Sequence, residues 1–140
     1  TIRGTFRTFD ETWRNKAHEL IVKIATDVAA EYNTQCEVVI DKGYPVLIND
    51  DKATALFRES ATKFVGKENV VELQQRTTVE DFARYTQIVP GCFYRLGIAN
   101  KERGITSNLH TSTFNVDEES IEIGTGLMIW NTLDILNDKF

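Results

Sequence analysis

The sequence predicts an α/β fold, on three observations. From residue 44 onward, helical stripes alternate with short apolar runs of strand type, the order that builds a sheet covered by helices. Residues 1–43 read as strand, helix, strand. Such a unit cannot cover both faces of its own sheet, so it reads as half of a small two-layer α+β domain. The last helix is apolar over more than half its circumference and therefore needs a sheet and a further layer against it. The strands in the second stretch number only two or three, too few for a typical open sheet, so the expected sheet is larger than these residues can build.

The elements follow in order. Residues 2–9 alternate with roughly period two and predict a strand. Asp10 offers an N-cap, and Trp13, Ala17, Leu20, Ile21, Ile24, Val28 and Tyr32 then recur at spacings of three and four, which predicts a helix over 11–32. Residues 35–40 form a second strand, and Asp41-Lys42-Gly43 turns out of it. Gly43-Tyr44-Pro45 marks the boundary between a first domain, 1–43, and a second, 44–140. Asn49-Asp50-Asp51 caps a helix over 52–65 with a buried stripe of Ala53, Leu56, Phe57, Ala61 and Phe64, and Gly66 stops it. A short strand covers 70–73. Thr77 with Glu80, and Thr78 with Asp81, form two overlapping capping boxes ahead of a helix over 79–87 that ends before Pro90. Residues 92–98 read as a largely buried strand, apolar on both faces apart from Arg95. Asn115 offers the cap of a last helix over 117–136, in which Gly124 and Gly126 permit close helix–sheet contact.

Composition narrows the classes of function. Apolar residues at 41% and charged residues at 26% are ordinary globular values, which exclude a disordered chain. A net charge of -5 with no basic patch argues against nucleic acid as a partner. No apolar run approaches the ~20 residues that span a bilayer, and the start lacks the apolar core of a signal peptide. Cys36 and Cys92 are far apart, form no CxxC or CxxH pattern and sit in strand-like runs, which predicts reduced core residues of a cytoplasmic protein. The chain starts at Thr1, inside what reads as a strand, which predicts residues upstream of it.

Two histidines are candidates for chemistry. His110 lies between an apolar strand-like run and a helix start, where a neutral imidazole is suited to bind a metal. From spacing alone, a polar loop residue bonded to nearby backbone is the favoured reading, since one ligand never makes a site. His18, at the margin of the helix 11–32 stripe, reads as a solvated helix-face residue because no second polar ligand sits one turn away.

Several stretches together resemble the C-terminal portion of the M20 family of metallopeptidases and aminoacylases. They are Gly4-Thr5-Phe6-Arg7-Thr8-Phe9-Asp10, Gly43-Tyr44-Pro45, Asn49-Asp50, Glu80-Asp81-Phe82, Pro90-Gly91-Cys92-Phe93 with Leu96-Gly97, and Leu109-His110 with Phe114 and Asp117-Glu118. The nearest branch is the amidohydrolases, which include hippurate hydrolases, N-acyl-amino-acid deacylases and plant auxin-conjugate hydrolases. The resemblance implies a two-domain enzyme with an α/β catalytic domain that binds two divalent metals per intact subunit: zinc, manganese or cobalt. A lid domain of two helices on a four-stranded sheet is inserted into it and often forms a homodimer. Residues 1–43 match the second half of that lid, and 44–140 match the chain's return into the catalytic domain. The histidine of the family's Leu-His motif, a metal ligand, falls on His110. The other ligands and the glutamate general base lie upstream in the family and have no counterpart here. The resemblance therefore implies hydrolysis of the amide bond of an N-acyl amino acid or small peptide by the intact enzyme, and no activity from these residues alone.

The sequence departs from the family in two places. Thr77-Thr78 replaces a common Met-Gly, which either alters the pocket near the substrate or simply caps a helix. Thr111-Ser112 replaces Ser-Pro, a loop adjustment. Glu80 and Asp81 read as capping residues favoured by the helix dipole, with direct substrate or metal contact as the alternative. Arg7 could steer a substrate carboxylate or serve a dimer contact, and otherwise is an exposed strand arginine. A competing reading from another class is a non-catalytic α/β binding or dimerisation module that kept the fold without the metal site.

Overall fold

The computed structural model describes residues 1–137. Its elements are α1 (Glu11–Glu31), α2 (Asp51–Val65), a 3-10 turn (Lys67–Asn69), α3 (Ala83–Thr86) and α4 (Glu119–Asn137). The chain divides into two compact units, Thr1–Ile48 with Gln74–Val89, and Asn49–Leu73 with Pro90–Phe140. No helix among the described residues is long and apolar enough to cross a membrane.

In the first unit α1 starts where the sequence places it. Asp10 is extended, and its carboxylate accepts the Trp13 amide at 2.9 Å, satisfying one donor that the first turn leaves open. The helix ends at Asn33, whose φ of 53° is left-handed, a conformation that asparagine tolerates better than most residues. The Glu11 carboxylate accepts the Val46 amide at 2.7 Å, and Arg14 donates to the Tyr44 carbonyl at 2.6 Å while pairing with Glu11 at 3.0 Å. These bonds fasten residues 44–46 to the first turn of α1. Arg84 completes the corner by lying over the Tyr44 ring, 5.3 Å from its centroid.

The second unit is built on α2 against α4. Asp50 caps α2 by accepting the Ala53 amide at 2.8 Å, and Gly66, with φ of 87°, ends it. The glycines of α4 permit close contact, but with a side chain of α2 and with Leu96 rather than with the sheet expected. A Cβ on Gly126 would lie 2.6 Å from the tip of the Phe64 ring, and one on Gly124 would lie 2.8 Å from Leu96. Phe64 also meets Trp130 with ring centroids 5.9 Å apart, and Ser60, Ala61, Leu127 and Asn131 are buried. Residues 91–93 are held by Asn49-Asp50. The Asn49 side-chain amide accepts from the Phe93 N–H at 2.8 Å and donates to the Phe93 carbonyl at 3.0 Å, while the Asp50 N–H donates to Gly91 at 2.9 Å. One side chain thus serves as the hydrogen-bonding edge that a neighbouring strand would offer.

The strands are the main departure from expectation. Residues 2–9, 35–40, 70–73 and 92–98 form no ladder among the described residues, where the one β-pairing is the isolated antiparallel bridge Asn100–Ile105. The described residues are helical, and the expected α/β layering is not formed by them. A strand exists only through bonds to a neighbour, and the period-two patterns find none here. The apolar faces stay uncovered for the same reason. Only Ala17 is buried on α1, while Trp13, Ile24, Val28 and Tyr32 are 48–75% exposed. Among described residues no large side chain is fully buried. The accessible surface of 11622 Å² exceeds the about 7,400 Å² expected of a compact 16.0 kDa monomer, and even the about 8,900 Å² of two separately compact halves.

Four local expectations are corrected. The helix expected over 79–87 shrinks to α3, preceded by turns at Glu80 and Asp81, and no side chain caps it. The β-branched run Thr77-Thr78-Val79 disfavours helical χ1 rotamers, so the two capping boxes form no helix start. Asn115 does not cap α4: its side chain accepts from the adjacent Val116 amide, and at the helix start the Asp117 carbonyl accepts the Ser120 amide at 2.9 Å. Cys36 is exposed rather than core, because its expected strand has nothing above it, whereas Cys92 is half-buried. His18 is half-buried rather than solvated, and its Nδ1 is shielded from solvent with no hydrogen-bond partner among the described residues.

Candidate functional site

His110 sits in an exposed loop, 106–115, of the second unit. Its backbone is left-handed, with φ of 64°, a region that non-glycine residues enter only when their surroundings impose it. Within the loop the Ser107 and Thr113 hydroxyls meet at 2.9 Å, the Thr111 hydroxyl donates to the Asn108 carbonyl at 2.8 Å, and the Phe114 amide donates to Thr111 at 3.2 Å. The imidazole itself takes part in none of these bonds, so the reading of His110 as a loop residue bonded to backbone finds no support in the geometry.

The loop ends are anchored. Asn100 exchanges both backbone bonds with Ile105, at 2.9 and 2.8 Å, and its side-chain oxygen accepts the Glu102 and Arg103 amides at 3.1 Å. Beyond the loop, the Asp117 carboxylate accepts from Asn100 Nδ2 and from Arg103 Nη1, each at 2.7 Å, and the Asp117 N–H donates to the Ile98 carbonyl at 2.9 Å. The Asn100 hydrogen bond, then the Arg103 charge, hold the Asp117 carboxyl below the usual carboxylate range.

The described residues contain no group of three or more His, Cys, Asp or Glu that could hold a metal. Protein metal sites for these ions take three or four protein ligands. His110 therefore fits one coordination position and supplies no more than that. Cys92, in the same unit, is half-buried, and burial pushes its thiol up.

The other candidate residues lie in the first unit. Arg7 and Thr77 are brought together: Arg7 Nη1 donates to the Thr77 carbonyl at 2.7 Å across 70 residues of sequence. Thr78 is exposed, and Glu80 is half-buried with its carbonyl accepting the Ala83 amide. Arg7 is thus a tie between the two parts of this unit as well as an exposed cation. Sequence reasoning named Asn49 and Asp117 but missed the Asn49 bonds to Phe93, Asn100, and the pairing of Arg103 with Asp117. Asn100 carried a readable signal, since asparagine ahead of Lys-Glu-Arg-Gly favours a turn closed by its own side chain.

Peptidase family M20/M25/M40 matches residues 7–129. A thermostable carboxypeptidase of Saccharolobus solfataricus is 31% identical over 125 residues, covering 88% of this chain and 31% of that protein. An IAA-amino acid hydrolase of Arabidopsis thaliana, ILR1-like 4, is 31% identical over 91% of this chain and 30% of its own length. An N-acetyl-L-cysteine deacetylase of Bacillus subtilis is 32% identical over 86% of this chain and 27% of its own. No solved structure matches. The chain spans about a third of the length of these relatives. With the match over 7–129, and His110 inside it, this chain belongs to peptidase family M20/M25/M40.

Proposed function

We propose that this chain is the C-terminal part of a metal-dependent amidohydrolase or carboxypeptidase, acting on N-acyl amino acids or small peptides, with His110 as one metal ligand. The observation that carries the reading is His110: exposed, held left-handed, and with an imidazole that makes no hydrogen bond among the described residues. The uncovered apolar faces and the relatives' threefold greater length support a polypeptide that continues beyond these residues and supplies the remaining ligands, the general base and the missing strands. When bound, two divalent ions (zinc, manganese or cobalt) would polarise the scissile carbonyl and acidify a water. The part of His110 is to present a neutral imidazole at one position from a loop that carries no core. Residues 1–43 serve as the second half of a lid through which two subunits pair, and 44–140 as the returning catalytic domain. Thr77, Thr78 and Glu80 lie on the substrate side, with Arg7 ordering that segment through the Thr77 carbonyl. The enzyme works in the cytoplasm, and residues 1–140 alone are inactive.

The test is metal content and turnover of the intact polypeptide on a panel of N-acetyl amino acids and dipeptides. His110→Ala is expected to lower turnover about 100- to 1000-fold or more with the protein still folded, and His18→Ala to leave it near wild type. Wild-type metal content and turnover in His110→Ala would falsify the ligand assignment. An intact polypeptide with neither metal nor amidase activity would favour the non-catalytic binding module instead.

A further inference from the structure

We infer that Asn100 and Asp117 are positioning residues for His110, forming a clasp that closes its loop and holds the imidazole in place. The inference rests on the proposed role of His110 as a ligand. Residues 106–114 make no hydrogen bond to anything outside their own loop among the described residues. The placement of His110 is therefore set by where the loop leaves and rejoins the scaffold. Both ends meet at one residue. Asn100 holds the departing end through its paired backbone bonds with Ile105. It holds the returning end through its side-chain N–H on the Asp117 carboxylate at 2.7 Å.

The two partners are suited to that task by chemistry as well as distance. The Asn100 amide is used on both sides: its oxygen accepts the two turn amides, of Glu102 and Arg103, which leaves its NH2 pointing at Asp117. The Asp117 carboxylate is likewise divided, one oxygen to Asn100 and the other to Arg103. Asp117 is 9% exposed, whereas the loop it closes is exposed throughout 106–115. A bond shielded from water at the neck of a solvated loop resists opening more than any bond within the loop. A left-handed residue away from glycine relaxes once its frame loosens, so release of the neck lets His110 leave φ of 64° and its imidazole swing away.

The test uses the intact hydrolase. Asp117→Ser keeps a side-chain acceptor ahead of α4 but removes the bonds to Asn100 and Arg103. Asn100→Asp sets two carboxylates against each other. The double variant Asn100→Asp with Asp117→Asn reverses donor and acceptor and restores the clasp. Zinc affinity, read by chelator competition at a temperature where every variant is folded, is expected to fall about tenfold in each single variant, the size typical when a ligand loses its supporting bonds, and to return in the exchanged pair. The His110 imidazole resonances in the metal-free protein should broaden in the singles and sharpen again in the pair. A purely structural role would lower the melting temperature while leaving folded-state affinity and line width unchanged. Should a single variant fail to fold, the exchanged pair alone decides, since failure to recover affinity there overturns the clasp. Unchanged affinity and line width in both singles also overturns it. Retention of metal by His110→Ala would instead remove the ligand reading, with the line widths still judging the clasp.

Discussion

His110 offers a perturbation whose sign can be worked from its backbone. Its φ of 64° places the Cβ near the following carbonyl, a conformation that costs an L-residue about 1–2 kcal/mol. Glycine has no Cβ and escapes that cost, but loses more backbone entropy on folding, by roughly 0.5–1 kcal/mol. The side chain is exposed and takes part in no hydrogen bond among the described residues, so its removal subtracts little else. His110→Gly should therefore raise stability by about 0.5–1 kcal/mol. His110→Ala retains the Cβ in a left-handed position, where histidine is better tolerated than alanine, and should lie within about 0.5 kcal/mol of wild type on the unstable side. The expected order is glycine above histidine above alanine, the reverse of the usual preference for alanine over glycine. Urea denaturation followed by helical ellipticity reads it out. With a slope of about 1–3 kcal/mol/M, glycine should shift the midpoint upward by roughly 0.2–1 M. In the intact enzyme both variants should lose turnover, so the glycine variant would be more stable and inactive, as expected where strain serves a ligand. An alanine variant more stable than the glycine variant by half a kcal/mol would refute the argument from strain.

Asn49→Ala removes both bonds to the Phe93 backbone and strands a half-buried N–H and C=O, so stability should fall by about 1–3 kcal/mol, measured by the same denaturation. Asp117 has a lowered folded pKa, so its contribution is fully present above the unfolded carboxylate range and is lost as pH falls through the folded value. The stability gap between wild type and Asp117→Asn should accordingly close in acid, and a gap that widens on acidification would contradict it. Towards a thiol reagent at neutral pH, exposed Cys36 should react well before Cys92, whose burial raises its pKa and restricts access. Equal rates at the two cysteines would show that the segment 92–98 is open.

Helices α1 and α2 and their ends were legible in the sequence by itself, whereas the extent of α3 and the start of α4 were not. The Asp10 and Asp50 caps, the stop at Gly66 and the close packing at Gly124 and Gly126 rest on interactions within a few residues or on the absence of a side chain, and these are written locally. The family stretches, and His110 as the residue to watch, were legible for a different reason: they are identities rather than geometries. The strands were legible only as patterns, because period-two alternation shows that a segment could join a sheet and not which neighbour it joins. Tertiary structure decided the rest. It joined residues 74–89 to 1–48 and passed Arg7 to the Thr77 carbonyl. It turned the Asn115 side chain to the adjacent Val116 amide, and it placed Asn100 at the neck of the His110 loop. Each of these joins groups that local pattern treats as independent. A carboxylate shared between Asn100 and Arg103, or a side-chain amide standing in for a strand at Phe93, is chosen by which polar groups burial leaves in need of a partner, and that need exists only once the chain has folded.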